Sequence, residues 1–328
     1  MTAPVKVGVL GVGKLGYHHA RILRSMENAE LVGVVDADPA RAQAVASEFG
    51  ARAFDRPEAL YEKIDAAVIA VPTSAHAEVA LPGLERGVHL LVEKPLAGTL
   101  AEADALVSAA DEAGVVLATG HVERFNAALR AGEPYLDEPL FIESHRLSPF
   151  GPRGTDVAVV LDLMIHDLDL ILALVGRPVT EVAASGIPVL THSVDIANAR
   201  LQFENGAVAN ITASRVSMDR MRKVRIFQRS GYLSLDLAAG RGEFLRLREG
   251  ALRPGSPPSA TSLADIVERV PLQGDDVEPL RAELDSFLAA VRGEAEVVVS
   301  GEDGRRALAV ALDIVDRIED HVAHSYTP

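Results

Sequence analysis

Three groups of residues in this chain have types and spacings suited to chemistry. Lys94 stands in Glu93-Lys94-Pro95, directly after the apolar run 88–92. An ammonium at the end of such a strand is either solvated or held beside a ligand, and Pro95 confines the backbone of Lys94 to extended conformations. Asp162, His166 and Asp169 recur at i, i+4 and i+7 along 158–175, where apolar side chains cover most of the remaining helix circumference. A polar stripe on so apolar a helix faces a cavity, a partner charge or solvent. Histidine with two aspartates is also an acceptable metal-ligand set, but no second histidine stands at ligand spacing and no metal is expected.

The third group is Gly11, Gly13 and Gly16, which follow the apolar run opening at Val5. In that order they supply a tight turn, a bare backbone and a close helix contact. With 26 glycines in 328 residues the spacing arises by composition in roughly one chain in six, so the flanking elements decide its meaning. A strand precedes it, a helix over 15–26 follows, and a second strand over 30–35 ends in Asp36. The helix beginning near Lys14 and Leu15 aims unpaired N–H groups and the positive end of its dipole at a pyrophosphate. Asp36 can accept hydrogen bonds from a ribose diol and would repel a 2′-phosphate, which favours NAD, with NADP as the alternative cofactor.

These groups need elements that bring them together. From 5 to 120 short apolar runs alternate with helical segments, as a doubly wound parallel sheet requires. The helices are expected at 39–49, from 75, and at 100–113, and the further strands at 65–71, 88–92 and 115–119. Ligands of open parallel sheets lie outside the carboxyl ends of the strands, so Pro72, Thr73, His76, Glu93 and Lys94 join the glycine loop as cofactor-binding candidates. Beyond Gly120 the texture changes to strands over 139–147, 179–188, 194–203, 207–216, 223–227, 232–237 and 243–247, with a hairpin signal at Glu204-Asn205-Gly206. Consecutive strands with short turns predict an antiparallel sheet. The run 254–261 reads as a surface loop, and amphipathic helices at 278–291 and 302–320 close the chain. The predicted fold class is α/β: an N-terminal Rossmann sheet over 1–120, and a C-terminal α+β domain over 121–328 with an open, mainly antiparallel sheet for substrate binding and oligomerisation.

Composition narrows the partners. The formal net charge of −15 argues against nucleic acid or anionic membrane as a general partner. There are no cysteines, which excludes disulfides, thiolate zinc sites and cysteine nucleophiles and is compatible with a cytoplasmic location. No export leader is visible before the first strand, and the most apolar run is broken by Asp162, His166, Asp167 and Asp169, so no membrane span is expected. Two further stretches carry alternatives. His121, Arg124 and Asn126 either line the substrate cleft or cap and anchor the helix over 124–130. The basic stretch 215–229 is either a solvated strand face or a pyrophosphate site, and Arg222 and Arg225 must lie on opposite faces of their strand.

Together G-V-G-K-L-G with Asp36, V-P-T-S-A-H at 71–76, E-K-P at 93–95, G-H-V-E-R-F-N at 120–126 and D-L-M-I-H-D at 162–167 resemble the glucose–fructose oxidoreductase, inositol dehydrogenase and rhizopine-catabolism (Gfo/Idh/MocA) family over nearly the whole chain. The resemblance implies hydride transfer between a sugar, nucleotide-sugar or polyol carbinol and nicotinamide. It implies Lys94, Asp162 and His166 as catalytic residues, with His166 as general base, and a homodimer or homotetramer built through the sheets. The G-H-V-E-R-F-N stretch is similar to members acting on nucleotide-linked amino sugars such as UDP-N-acetylglucosamine, although Ala127 stands where many of them have proline. It places His121, Arg124 and Asn126 beside Asp162 and His166 as substrate-binding candidates. The rival class is a non-catalytic dinucleotide-binding sensor on the same fold.

Overall fold

The computed structural model describes residues 3–151, 157–248 and 266–325, and the predicted loop 254–261 lies outside them. The chain forms two compact units, Met1–Val122 with Glu278–Ala309, and Glu123–Val277 with Val310–Pro328.

The first unit rests on six parallel strands: β1 (Val5–Leu10), β2 (Ala29–Val35), β3 (Arg52–Phe54), β4 (Ala66–Ile69), β5 (His89–Glu93) and β6 (Leu117–Gly120). Their order, β3-β2-β1-β4-β5-β6, reverses direction of growth between β1 and β4, where open α/β sheets leave a crevice. The crossovers carry α1 (Lys14–Arg24), α2 (Pro39–Phe49), α3 (Pro57–Tyr61), α4 (His76–Leu84) and α5 (Leu100–Ala113). Because helices cover both faces, β4 is apolar throughout and fully buried. Local chemistry sets the helix ends. Asp38 caps α2 by accepting the N–H groups of Ala40 and Arg41, Pro39 fills its first turn, and Gly50 ends it at φ +68°. Thr99 and Glu102 form a capping box at the start of α5.

In the second unit a short helix, α6 (Ala127–Gly132), precedes β7 (Phe141–Leu147), and a π-helical turn over Val160–Met164 runs into α7 (Ile165–Val175). Then come β8 (Val179–Ile187), β9 (Ile196–Phe203), β10 (Val208–Ser214), β11 (Met221–Gln228), β12 (Gly231–Asp236), β13 (Arg241–Leu247) and β14 (Val267–Gln273). The sheet order is β14-β13-β12-β11-β7-β10-β9-β8. Neighbours are antiparallel except β7 and β10, which are parallel: α7 carries the chain to the far edge at β8, and the meander back brings β10 beside β7 in the same direction. β14, which carries Pro271, is not among the expected strands. As the last strand of the sheet it tolerates that proline, which faces Glu243 of β13. One sheet face is buried, through Ile142, Ala199, Leu201, Ile211, Val224, Ile226 and Leu233, and α6 and α7 pack against strands of this sheet.

Two helices follow, α8 (Pro279–Val291) and α9 (Gly301–Ser325). Leu284, Phe287 and Leu288 of α8 enter the same core as Val7, Val9 and Leu91, so this late segment completes the first unit. At the start of α9 Ser300 bridges Ala118, and Gly304 packs so close that a Cβ there would lie 2.2 Å from Thr119 Oγ1.

Candidate functional site

The three glycines serve three different ends. Gly11 turns at φ +82°, and a Cβ on it would sit 2.6 Å from the Ala70 carbonyl oxygen. A Cβ on Gly16 would lie 1.8 Å from the Gly11 carbonyl oxygen, so only glycine lets α1 pack on the loop. Around Gly13 no protein atom comes within 4 Å of a built Cβ. Nothing in the fold requires glycine there, whereas a ligand in close backbone contact would. Gly13 is also the N-cap of α1, without any side-chain cap, and the first turn carries no acidic residue. A pyrophosphate fits such a helix end in charge and in hydrogen-bond direction.

The glycine loop opens on a cleft of about 500 Å³, lined by Gly11, Gly13, Leu15, Asp36, Pro72, Thr73, His76, Glu93 and Lys94 among others. These are nine of the eleven predicted cofactor-binding residues. Of the other two, Lys14 is exposed on the first turn of α1 and Gly16 is buried in the helix–loop contact. Ala37, Arg41, Ala70 and Val71 complete the wall. Asp36, at the end of β2, is oriented by two backbone donors. Its Oδ2 accepts from Val12 at 2.8 Å and its Oδ1 from Asp38 at 2.9 Å, while the half-exposed Arg41 guanidinium lies 3.5 Å from Oδ1. Oδ2, with a single donor, keeps a lone pair for a ribose hydroxyl. The cleft therefore fits NAD at both its anionic and its ribose ends.

Two buried side chains hold the loops around Lys94. His76 Nε2 faces the Val71 carbonyl at 3.0 Å, and Nδ1 faces those of Pro95 at 2.9 Å and Leu96 at 3.3 Å. Burial holds the His76 pKa below the ordinary histidine value, against the opposite pull of these carbonyls and of Glu93. The ring lies between the loop after β4 and the loop after β5, can donate to a carbonyl of one of them, and forms cleft wall. The Lys94–Pro95 peptide is cis. On the other side of Lys94, Glu93 Oε1 lies 2.7 Å from Nε2 of the fully buried His19, and Oε2 accepts the Lys94 N–H at 3.3 Å. His121, at the end of β6, is fully buried.

In the second unit Asp162 lies in the π-helical turn and His166 in the first turn of α7, both half-buried. At the far end of the expected stripe Asp169 meets a partner charge, buried in a bidentate pair with Arg124 at 2.7 and 3.1 Å. Asn126 caps α6 by accepting from Ala128 at 3.0 Å and donates to Glu123 at 3.0 Å and to the Leu237 carbonyl at 2.9 Å. These contacts match the anchoring alternative for Arg124 and Asn126.

A buried ionic cluster includes Asp167, the neighbour of His166 in the chain. Arg146 of β7 makes a bidentate pair with Asp167 at 2.7 and 3.1 Å and reaches Glu123 at 2.8 Å, and Arg222 lies 3.4 Å from Glu123. Burial pulls the Arg146 pKa down, but the two carboxylates outweigh it and raise it above the ordinary arginine value. Arg146 stands at the same strand parity as buried Ile142 and Ser144, which turns it to the buried face. Arg225 points the other way, to Glu143 at 2.9 Å, as strand alternation required. Arg215, in the same basic stretch, is buried rather than solvated, with its guanidinium donating to the Val157 carbonyl and 3.9 Å from Asp195.

Comparison with known proteins agrees with this geometry. Residues 5–121 match an oxidoreductase family with an NAD-binding Rossmann fold, and residues 118–234 match the Gfo/Idh/MocA C-terminal domain. UDP-N-acetylglucosamine 3-dehydrogenase of Acidithiobacillus ferrooxidans is 38% identical over 96% of this chain and 97% of its own. A solved structure of that enzyme superposes with a TM-score of 0.89 at 37% identity, covering 97% of this chain and 99% of the other. The scyllo-inositol 2-dehydrogenase (NAD(+)) of Bacillus subtilis is 32% identical over 66% of this chain and 69% of its own. Among the described residues no helix is long and apolar enough to cross a membrane. With a glycine loop, an oriented Asp36 and a lysine at one cleft, and family matches running from residue 5 to residue 234, this chain belongs to the Gfo/Idh/MocA family of NAD-dependent oxidoreductases.

Proposed function

We propose that the protein oxidises a secondary hydroxyl of a nucleotide-linked amino sugar, the 3-hydroxyl of UDP-N-acetylglucosamine, with NAD as the oxidant. The observation that carries this reading is the end-to-end likeness to an enzyme of that name, at 38% identity. NAD, when bound, supplies the hydride acceptor. Loss of hydride makes the hydroxyl proton acidic, and we assign His166 as the base that accepts it, with Asp162 orienting imidazole or substrate. The fixed charge of Lys94 stabilises the developing alkoxide. His121, Arg124 and Asn126 remain our candidates for the substrate side. Given their contacts, the last two act by holding the segment that carries them.

Absorbance at 340 nm with NAD and a panel of UDP-N-acetylglucosamine, glucose and myo-inositol tests the assignment. UDP-N-acetylglucosamine is expected to give the highest kcat/KM, and preference for myo-inositol would refute the substrate class. Lys94→Met and His166→Ala are each expected to lower kcat by about 10²-fold or more while NAD binding is retained. Wild-type turnover in both variants would remove the catalytic assignment. We further place the protein in the cytoplasm as a homodimer or homotetramer. The open face of the eight-stranded sheet, carrying Glu143, Lys223 and Arg225, is the surface we assign to self-association. Light scattering of the purified protein reads the oligomer size directly.

A further inference from the structure

We infer that His19 is a positioning residue for Lys94, acting through Glu93; the inference rests on the catalytic role proposed for Lys94. His19 lies on α1, one turn beyond Gly16, and has no exposed surface. Its Nε2 stands 2.7 Å from Glu93 Oε1, while Glu93 Oε2 takes the backbone N–H of Lys94. A Cβ on Gly120 would lie 2.9 Å from Oε2, so the bare backbone of Gly120 forms one wall of the carboxylate's pocket. On another side stands Glu283 of α8, itself 2% exposed, with one donor atom from each of His19, Glu93 and Glu283 within 4.8 Å of the others.

Two buried carboxylates this close repel, and the Nε2–H of His19 is what holds Glu93 against that repulsion. A carboxylate oxygen only accepts, so opposite Glu93 the ring places its hydrogen on Nε2. The backbone of Lys94 is thus fixed from both sides: from Glu93 by His19, and from Pro95 by His76. A lysine side chain has many rotamers, so an anchored backbone is what gives its ammonium a defined origin in the cleft. His19 also sits on the helix whose first turn faces the cofactor. The same residue therefore sets the position of Lys94 relative to the glycine loop. A metal ion would explain the three residues less well. Tetrahedral ligands at ordinary zinc distances stand about 3.3 Å apart, whereas Nε2 and Oε1 are at hydrogen-bond distance.

The test uses the full-length protein with NAD and UDP-N-acetylglucosamine. His19→Leu is expected to lower kcat by roughly 10- to 10²-fold, the loss typical of a misplaced group, while the calorimetric Kd for NAD changes by less than about threefold. His19→Gln, which presents a donor near the Nε2 position, recovers most of kcat, and His19→Asn, whose donor falls short, does not. Adding Glu283→Gln to His19→Leu restores part of the loss by removing the repulsion. The double variant His19→Leu/Lys94→Met is no slower than Lys94→Met alone. In the cofactor-free protein, the acetylation rate of Lys94, mapped by mass spectrometry, changes in His19→Leu and returns in His19→Gln. Wild-type kcat in His19→Leu, equal losses of kcat and NAD affinity, or full additivity with Lys94→Met would each overturn the inference. So would zinc stabilising the wild type but not His19→Leu, which would make the cluster a metal site. Wild-type turnover by Lys94→Met is a different failure, since it removes the catalytic reading on which the inference rests.

Discussion

Replacing Gly13 by alanine separates what the fold needs from what the ligand needs. A methyl group there meets no protein atom within 4 Å, and the backbone at φ −64° and ψ −158° is extended and accessible to alanine. Two small effects on stability oppose each other. Alanine reduces the freedom of the unfolded chain, worth about 0.4–1 kcal/mol, and is a poorer N-cap than glycine by a similar amount. The net change is within about 0.5 kcal/mol, or about 2 °C in Tm for a unit of this size. Binding behaves otherwise, because a pyrophosphate donor-to-oxygen distance of about 2.9 Å leaves no room for a methyl on the donor loop. NAD affinity is expected to fall at least about tenfold, or about 1.4 kcal/mol. Gly16→Ala is the contrasting control. Its Cβ would overlap the Gly11 carbonyl oxygen at 1.8 Å, so it should lower both stability and binding. Calorimetry of NAD binding and thermal unfolding of both variants decide the matter. Native NAD affinity in Gly13→Ala would show that the pyrophosphate does not lie over Gly13.

Asp36→Ala should weaken NAD binding by at least about tenfold and shift preference toward NADP, since it removes a carboxylate that repels a 2′-phosphate and frees Arg41 beside it; tighter NADP binding by the wild type would contradict this. Arg146→Met leaves Glu123 and Asp167 buried without their shared cation and should destabilise the second unit by about 3–5 kcal/mol, with recovery when Glu123→Gln and Asp167→Asn are added, read by urea unfolding. Asp195 accepts three backbone N–H groups from the turn at Val189, Leu190 and Thr191. Those bonds outweigh burial and lower its pKa to about 2 from an unfolded value near 3.8. A depressed carboxylate pKa stabilises the fold above the unfolded value, so about 2 kcal/mol should be lost as pH falls through that window, and Asp195→Asn should flatten the stability profile there.

Which of these features could be read beforehand follows from how far apart in sequence their causes lie. The glycine loop, Asp36 and the caps of α2 and α5 are written within a few residues of where they act, since turn geometry and helix ends are local. Asp162 and His166 were legible as a helical pair. Asp169 follows His166 by three residues within α7 and meets a partner charge, Arg124, and which of the stripe's possible partners it finds depends on the fold rather than on spacing. β14 is absent from the expected strands; it carries Pro271, which an edge position tolerates, and an edge is a property of the assembled sheet. The parallel pairing of β7 with β10 likewise depends on where the chain re-enters the sheet after α7.

The buried charges are the extreme case. Glu123, Arg146 and Asp167 are separated by about twenty residues at each step, and His19, Glu93 and Glu283 by 74 and more. Each residue alone looks like an ordinary surface charge, and only the fold turns the set into a polar core. Apolar residues of equal volume often pack as well as such clusters or better, so stability alone is weak ground for keeping them. In this chain the clusters lie beside the proposed acid–base residues, Asp167 next to His166 and Glu93 next to Lys94. If the two clusters act by positioning, replacing each by well-packed apolar residues should raise Tm or leave it unchanged while lowering kcat. A fully active apolar variant of either cluster would mean that its charges are carried by the fold without serving the reaction.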